Sequence, residues 1–554
     1  MNQGETIMST VSAVAGLMPI AVKGKQDSKR PSEAITERES NELVIAFAGP
    51  IGCGIQSVRD QVASQLAESG YQIHIIKVSD YLKDCVNHGL VKVQGSLAEK
   101  GADRYIQMQE AGNALRKKQS DILAEYAIRQ IAETRGHQAE KKQVGIKEHI
   151  PERSAYLIDQ VKHPDEVVLL RAVYGNLFYL FGVLSTSPRR EARLKSEGIE
   201  PGKISELIER DRKQREKSGQ QLDKTLQLAD FFVRNDHANI EGMESQLRRF
   251  IQLIHGINGV TPTKEEYGMY VAYAAALRSG CLSRQVGASI MNAEGAIVAT
   301  GRNDVPKAGG GLYGPESGKD DARCVKLESG YCHNDLHKQK LAGEVRDVVK
   351  SILGEHVANM EWPDGKEELL KKLNIDELSK KVSNVVHDET RLGSLIEFSR
   401  SIHAEMDAIV SLAMKGDSST KGTTLFTYTF PCHNCARHIV AAGISTVFYL
   451  EPYEKSLALT LHDDAIAIDG IGQEPFDGKK VRFVHFEGVA PRQYLNMFSP
   501  SGDRKDESGR AVVIKVRDSS KKVPAYLDGY RDYELKVVEH LTQIINELGE
   551  SPLQ

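Results

Sequence analysis

Two short stretches carry residue types that could do chemistry: Ser401-Ile402-His403-Ala404-Glu405-Met406-Asp407, and then Pro431-Cys432-His433-Asn434-Cys435-Ala436-Arg437. One imidazole and two thiols are donors that Zn²⁺ favours. A catalytic zinc site uses three protein ligands and keeps its fourth position for water. Cys432 and Cys435 are three apart at the start of a helical pattern, CARHIVAAG. That spacing puts both sulfurs on one helix face, and a helix N-terminus favours their thiolate forms. His403 opens a second helix and supplies the third ligand. His433, inside the C-x-x-C, would face away from that side. A bound zinc brings the pKa of water toward neutral. Glu405, two positions from His403, is a carboxylate placed to carry protons beside it. The competing reading is a structural zinc site, or core residues with no metal.

H-x-E followed by P-C-x-x-C is the zinc deaminase signature, and both halves stand here in order. The reaction it implies is attack of water on C4 of a cytosine ring with loss of ammonia. Around it, Arg278-Ser279-Gly280-Cys281-Leu282-Ser283-Arg284-Gln285-Val286-Gly287-Ala288 and Ala299-Thr300-Gly301-Arg302-Asn303 resemble the deoxycytidylate deaminases. Their pattern is R-S-x-C-x-x-R-x-V-G-A and then T-G-x-N. The likeness covers residues 265–305 and 399–470. It implies that Asn303 bonds the sugar and that Arg278, Ser283 and Arg284 lie near phosphate. Read without it, the two arginines are surface charges at a helix end. Asp304 stands where the family has a glycine. Tyr453, in the loop after the strand FYLE, either stacks on the substrate or packs in the core. Residues 304–398 look like an insertion. They hold Cys324, Cys332, His333 and His337, soft ligands for a second, structural zinc, although C-x7-C-H-x3-H is not a standard finger spacing.

The first half carries a different device. GPIGCGIQS follows the apolar run ELVIAFAG and precedes the helical pattern SVRDQVASQLAESG. Gly49, Gly52, Gly54 and Ser57 resemble a phosphate-binding loop, G-x-x-x-x-G-K-[ST], whose backbone N–H groups cradle phosphate. The lysine position holds Ile55 and the hydroxyl position Gln56, which argues against efficient phosphoryl transfer. Together with YLID at 156–159, the arginine-bearing TSPRREARL at 186–194 and LADFFVRND at 228–236, this half resembles small nucleotide kinases. The resemblance implies a kinase-like fold with a regulatory, nucleotide-sensing role.

These motifs need elements to position them. Alternating strand and helix patterns up to residue 258 imply an α/β domain with a parallel sheet. A long charged helical region is expected between 189 and 228. From Thr261 a helix, a hairpin turning at 292–295, the insertion, and then helix–strand–helix–strand imply a cytidine-deaminase-like α/β/α domain. The expected organisation is a mobile segment 1–40, a P-loop kinase-like domain 41–258, a deaminase domain 261–500 with insertion 304–398, and a tail 501–554 with an amphipathic helix at 531–548. Seven thinly spread cysteines do not form a disulfide framework and suggest a reducing, cytoplasmic setting. No run approaches the about 18 apolar residues of a membrane span.

The pairing of a kinase-like domain with a deoxycytidylate-type deaminase is similar to a group of bacterial anti-phage defence enzymes. That resemblance implies deamination of free dCMP and dCTP, depletion of the cytosine deoxynucleotide pool, an inhibitory small RNA as partner, and assembly into a homo-oligomer. Two other functions compete. A polynucleotide cytidine deaminase wants a basic channel with stacking aromatics, and this chain has net charge −4, one Trp and 6% aromatics. A nucleotide-sensing regulatory protein would not need the intact His403, Glu405, Cys432 and Cys435.

Overall fold

The computed structural model of the chain describes residues 30–94, 101–145, 147–212, 220–236, 240–359, 373–416, 419–451, 456–468, 479–500 and 502–529. Tyr453, the amphipathic helix expected at 531–548, and residues 1–29 of the expected mobile segment lie outside the described residues. The rest of that segment contains a helix, Pro31–Thr36.

The chain divides into two compact units. The smaller gathers Met1–Glu42, Arg135–Glu152 and Pro524–Gln554. Within it Arg38 pairs with Asp528 at 2.6 Å, and Arg135 with the buried Glu42 at 2.8 Å. The larger unit, Leu43–Thr134 with Arg153–Val523, holds two six-stranded sheets and both chemical motifs.

The first sheet contains β1 (Leu43–Ala48), β2 (Gln72–Lys77), β3 (Ser154–Asp159), β4 (Phe178–Leu184), β5 (Phe231–Arg234) and β12 (Gly488–Val489), ordered β12-β5-β4-β1-β3-β2. The first five strands run parallel; β12 is antiparallel to β5. LVIAFA is apolar throughout because central β1 is buried on both faces, as parallel strands between helices must be. Val58, Val62 and Leu66 of the helix Ile55–Glu68 pack into the same core as Phe47, Phe181 and Phe231. The glycine turn follows the carboxyl end of β1, beside which chain order reverses, a usual place for ligands in open α/β sheets. The charged region 189–228 is not one long helix. It is broken into Ser187–Ser196, Pro201–Arg212 and Leu222–Leu226, with left-handed Gly198 (φ +82°) and Pro201 separating the first two.

The second sheet orders β10 (Ile466–Ile468), β11 (Val481–His485), β9 (Thr446–Glu451), β8 (Thr424–Thr429), β6 (Gly287–Met291) and β7 (Ile297–Arg302). β6 and β7 form the expected hairpin, with Gly295 at φ +92° in its turn. β12, although it lies in the second half of the sequence, covers the edge of the first sheet. Unpaired edge groups favour such a partner. Beside it the fully buried Asp230 accepts from Leu180 N at 2.7 Å and pairs with Arg171 and Arg492. The insertion is largely helical: His333–Ala358 packs on Ile375–Glu389, and Ser383 Oγ donates to Ala342 O at 2.5 Å.

No helix among the described residues is long and apolar enough to cross a membrane.

Candidate metal centre and its cavity

Two glycines set the distance between the second sheet and its helices. A Cβ at Gly287 would lie 2.0 Å from Ala272 O, in the helix Lys264–Ala276. A Cβ at Gly301 would lie 2.1 Å from Ala404 O, in the helix Ala404–Lys415. Both helices therefore press backbone to backbone on the hairpin. Asp407 fixes the second one further by accepting Arg302 N at 2.9 Å. His403 is the N-cap residue of that helix, and Glu405 sits in its first turn. Cys432 caps the next helix, His433–Ala441, where its sulfur accepts Cys435 N at 3.4 Å.

These elements bring His403, Cys432 and Cys435 together as the one convergent ligand group among the described residues. His403 Nδ1 lies 3.3 Å from each sulfur. Zinc bonds of about 2.0 and 2.3 Å at tetrahedral angles put donors about 3.5 Å apart, so the three fit one ion. Hydrogen bonding from Cys435, helped by His403, draws the Cys432 thiol down to about 4. Metal ligation requires deprotonated sulfur and a neutral imidazole, so an ion bound here would displace protons from the group. The Cys432 hydrogen bond and the Glu405 charge raise His403 to about 9. Glu405 Oε2 lies 3.5 Å from Cys435 Sγ. Burial pushes the Glu405 carboxyl above its ordinary value, opposed by His403. His433 is not part of the group.

A cavity of about 180 Å³ opens over these residues. Ser283, Arg284 and Asn303 line it; Arg278 does not. Asn303 uses its amide within the loop, donating to Arg284 O at 2.7 Å and accepting Val286 N at 2.7 Å. Arg284 lays its guanidinium on Glu451, a buried carboxylate at the end of β9 that also accepts from Thr429 Oγ1 at 3.4 Å. Asp304 pins the wall: its carboxylate accepts Gly280 N at 3.0 Å, and its carbonyl accepts Ile402 N at 3.0 Å. A glycine there could not supply the first of these bonds.

The four insertion residues expected at a second zinc do not form such a group. Cys332 is the N-cap of His333–Ala358, and His337 stacks on Phe398 with ring centres 5.3 Å apart. Cys324, Cys332 and His333 instead line the cavity over the first centre. Adjacent residues at a helix start project in different directions, which works against Cys332 and His333 ligating one ion.

Residues 262–451 match the cytidine and deoxycytidylate deaminase zinc-binding region. This part of the chain is similar to a deaminase zinc-binding region. Deoxycytidylate deaminase of Enterobacteria phage T2 is 42% identical over 55 residues, which are 10% of this chain and 29% of the phage protein. The chain thus spans under a third of that relative's length. Deoxycytidylate deaminase of Mus musculus is 24% identical over 229 residues, 41% of this chain and 88% of the mouse protein. The solved dCMP deaminase of cyanophage S-TIM5 in complex with dCMP and dUMP aligns over 41% of this chain and 98% of that one, at 18% identity and TM-score 0.22. So low a score carries no weight, and the fold rests on the strands described above.

Outside residues 262–451, the glycine loop lies between β1 and the helix Ile55–Glu68, and its backbone groups are bonded by the chain itself. Gly52 and Gly54 take φ +79° and +76°, and Gly49 is held against Cys53 Sγ and Val183 O, where a Cβ would lie 2.6 and 2.7 Å away. Ser57 is inside the following helix, its N–H on Gly54 O at 3.2 Å. The expected phosphate cradle is not wholly open: Ile51 N–H donates to Asp211 Oδ2 at 2.6 Å. Lys162 Nζ meets Asp211 Oδ1 at 2.5 Å and Gly49 O at 3.4 Å. Arg190 and Arg193, from the expected lid, donate to Ile51 O and Gly52 O. A cavity of about 310 Å³ remains beside the loop, lined also by Arg104, Asp159 and Lys162.

Glu451, Arg400 and Asn334 escaped the sequence reading although each bears on the deaminase cavity. A carboxylate ending an apolar strand, FYLE, and an arginine three residues ahead of a ligand histidine were the available signals.

Proposed function

We propose that this protein is a zinc-dependent deaminase that hydrolyses free deoxycytidine nucleotides, dCMP or dCTP, to deoxyuridine nucleotides and ammonia. The observation that carries the reading is the convergence of His403, Cys432 and Cys435 beside Glu405 beneath a cavity. The similarity of residues 262–451 to the cytidine and deoxycytidylate deaminase zinc-binding region supports it.

His403 Nδ1 and the two sulfurs would hold the ion. When bound, zinc supplies a Lewis acid that makes water a nucleophile near neutral pH. Glu405 does the proton work. Its burial keeps its affinity for a proton high enough to take one from the attacking water. It delivers that proton to the ring nitrogen, then takes the remaining proton from the new C4 hydroxyl and passes it to the exocyclic amine. Water oxygen ends on C4, the C4–N bond breaks, and ammonia carries away the nitrogen. Phe430 and Ile396 give the cavity apolar walls.

In this reading residues 41–258 form a kinase-like regulatory lobe and residues 261–500 the catalytic one. The glycine loop, with Gly49, Gly52, Gly54 and Ser57 and its adjoining cavity, takes a regulatory nucleotide. The protein acts in the cytoplasm as a homo-oligomer, held by an inhibitory small RNA, and depletes the cytosine deoxynucleotide pool during phage infection.

The experiment is a panel of dCMP, dCTP, CMP and CTP incubated with purified protein, with uracil products measured with and without added nucleotides and RNA. Conversion of the deoxy forms, abolished in Glu405→Ala, is expected. No conversion of any free nucleotide under any of these conditions would end the reading.

A further inference from the structure

We infer that Arg400 and Asn334, one just ahead of the metal ligand His403 and the other at the start of the insertion's long helix, read the 5′-phosphate and the sugar of the substrate. The inference rests on the deaminase reading and adds to it how a nucleotide is told from a nucleoside.

Three arginines come into question for the phosphate. Arg278 does not line the cavity. Arg284 does, but its guanidinium lies on Glu451. Arg400 lines the cavity too, is half-buried, and has no carboxylate partner among the described residues. An arginine at a cavity wall with no carboxylate to neutralise it suits a phosphate, whose oxygens a guanidinium can bind in pairs.

Its position is fixed by the chain around it. Ser399 Oγ accepts Ser401 N at 3.2 Å, tightening the turn that contains Arg400. Ile402 N is bonded to Asp304 O at 3.0 Å, and His403 follows at once. The main chain that carries Arg400 is therefore tied to the segment that carries His403.

Asn334 supplies an independent observation. Its Nδ2 donates to Leu395 O at 2.9 Å, while its Oδ1 is buried and without a partner. A buried amide oxygen left unmatched is costly. Asn334 lines the cavity, in which a deoxyribose would offer a hydroxyl donor. The insertion thus forms a wall of the catalytic cavity, and through Asn334 it contributes to substrate choice.

The test uses the full-length protein as wild type, Arg400→Ala, Arg400→Lys and Asn334→Ala. Steady-state deamination of dCMP, dCTP and deoxycytidine is measured alongside zinc content. Loss of charge-assisted bonds to phosphate is expected to raise KM of Arg400→Ala for both nucleotides about tenfold or more. Its kcat/KM preference for nucleotide over deoxycytidine should fall by the same factor. Arg400→Lys, which keeps the charge but not the fork, should fall between, and it carries the test if the alanine variant does not fold. Asn334→Ala should raise KM for all three substrates, since all carry the sugar. An unchanged nucleotide preference in an Arg400 variant with normal zinc content would overturn the inference while leaving the deaminase reading intact. A wild type inactive on all three compounds would instead remove that reading.

Discussion

Lys162 reaches under the glycine loop from the end of β3 and closes on Asp211 at 2.5 Å, with both side chains buried. The other carboxylate oxygen takes Ile51 N–H, the kind of bond that a phosphate takes in loops of this shape. Asp211 thus supplies an anion to the loop, and Lys162 balances its charge. Removing one partner leaves a buried charge unmatched, which costs about 3–5 kcal/mol. Lys162→Met is therefore expected to lower unfolding stability by about that amount. Lys162→Met combined with Asp211→Asn, which keeps an acceptor for Ile51 N–H without the stranded charge, should recover part of it. Urea denaturation of the three proteins checks this; a double variant no more stable than the single one contradicts it.

The metal centre predicts one zinc per chain. His403, Cys432 and Cys435 form the single convergent ligand group among the described residues. Substituting any one of them by serine or alanine should reduce bound zinc well below one equivalent. Cys324→Ser and Cys332→Ser should leave zinc content unchanged. Glu405→Gln should keep the zinc and lose about 10²- to 10⁴-fold in kcat, the usual contribution of a positioned proton carrier. Elemental analysis of purified protein alongside a deamination assay separates these cases. Two zincs in wild type, with one lost in Cys332→Ser, would restore the insertion site.

The candidate ligand group was legible in the sequence because its chemistry is local: two thiols three apart, and an imidazole two residues from a carboxylate. β1, β3 and β4 could be read for a similar reason, being short apolar runs bounded by turns. The relationships that escaped are those between distant segments. Nothing near FYLE says that Glu451 meets Arg284. Nothing in HFEGVAP, at 485–491, marks GV as a strand that will cover β5. That the insertion's soft ligands form no metal-binding group was also hidden, since nearness in sequence does not make side chains at a helix start converge. Asn303 shows the same limit. Its place beside the cavity was expected from the resemblance, but its two bonds to the 284–286 backbone depend on how the loop folds.

His255 gives the fold a dependence on acid. It is buried where Tyr71 Oη meets its Nε2 at 3.1 Å and Ser519 Oγ its Nδ1 at 3.2 Å. Burial, with the positive charges of Arg153 and Lys521, lowers its pKa from 6.5 to about 4, against hydrogen bonds from the 519–520 backbone that raise it. Between those two values the unfolded chain binds a proton that the folded chain refuses. Stability from this group is therefore complete above pH 6.5 and is lost as pH falls toward about 4. The span corresponds to about 3 kcal/mol. His255→Gln should be less stable than wild type at pH 7.5, and its stability should fall less steeply between pH 6.5 and 4.5. Parallel slopes for the two proteins in denaturant titrations would show that His255 titrates freely.

Gly301 offers a test of how the sheet positions the chemistry. A Cβ there would meet Ala404 O at 2.1 Å and Ala408 N at 2.3 Å. Both are backbone atoms of the helix that begins immediately after His403, so no rotamer change can relieve the clash. Gly301→Ala must push that helix off β7, and His403 and Glu405 move with it. Overpacking of this kind costs about 1–3 kcal/mol, and a shift near 1 Å at reacting groups costs about a hundredfold in rate. The variant should fold with reduced stability, bind less zinc, and lose about two orders of magnitude in deamination. Gly343, inside the helix His333–Ala358, has open space where a methyl would go, with nothing within 4 Å, and serves as the control. There alanine should raise stability by up to about 1 kcal/mol through helix propensity alone, with zinc content unchanged. A Gly301→Ala protein with wild-type zinc and wild-type rate would mean that the helix can move away from the hairpin without disturbing the ligands it carries.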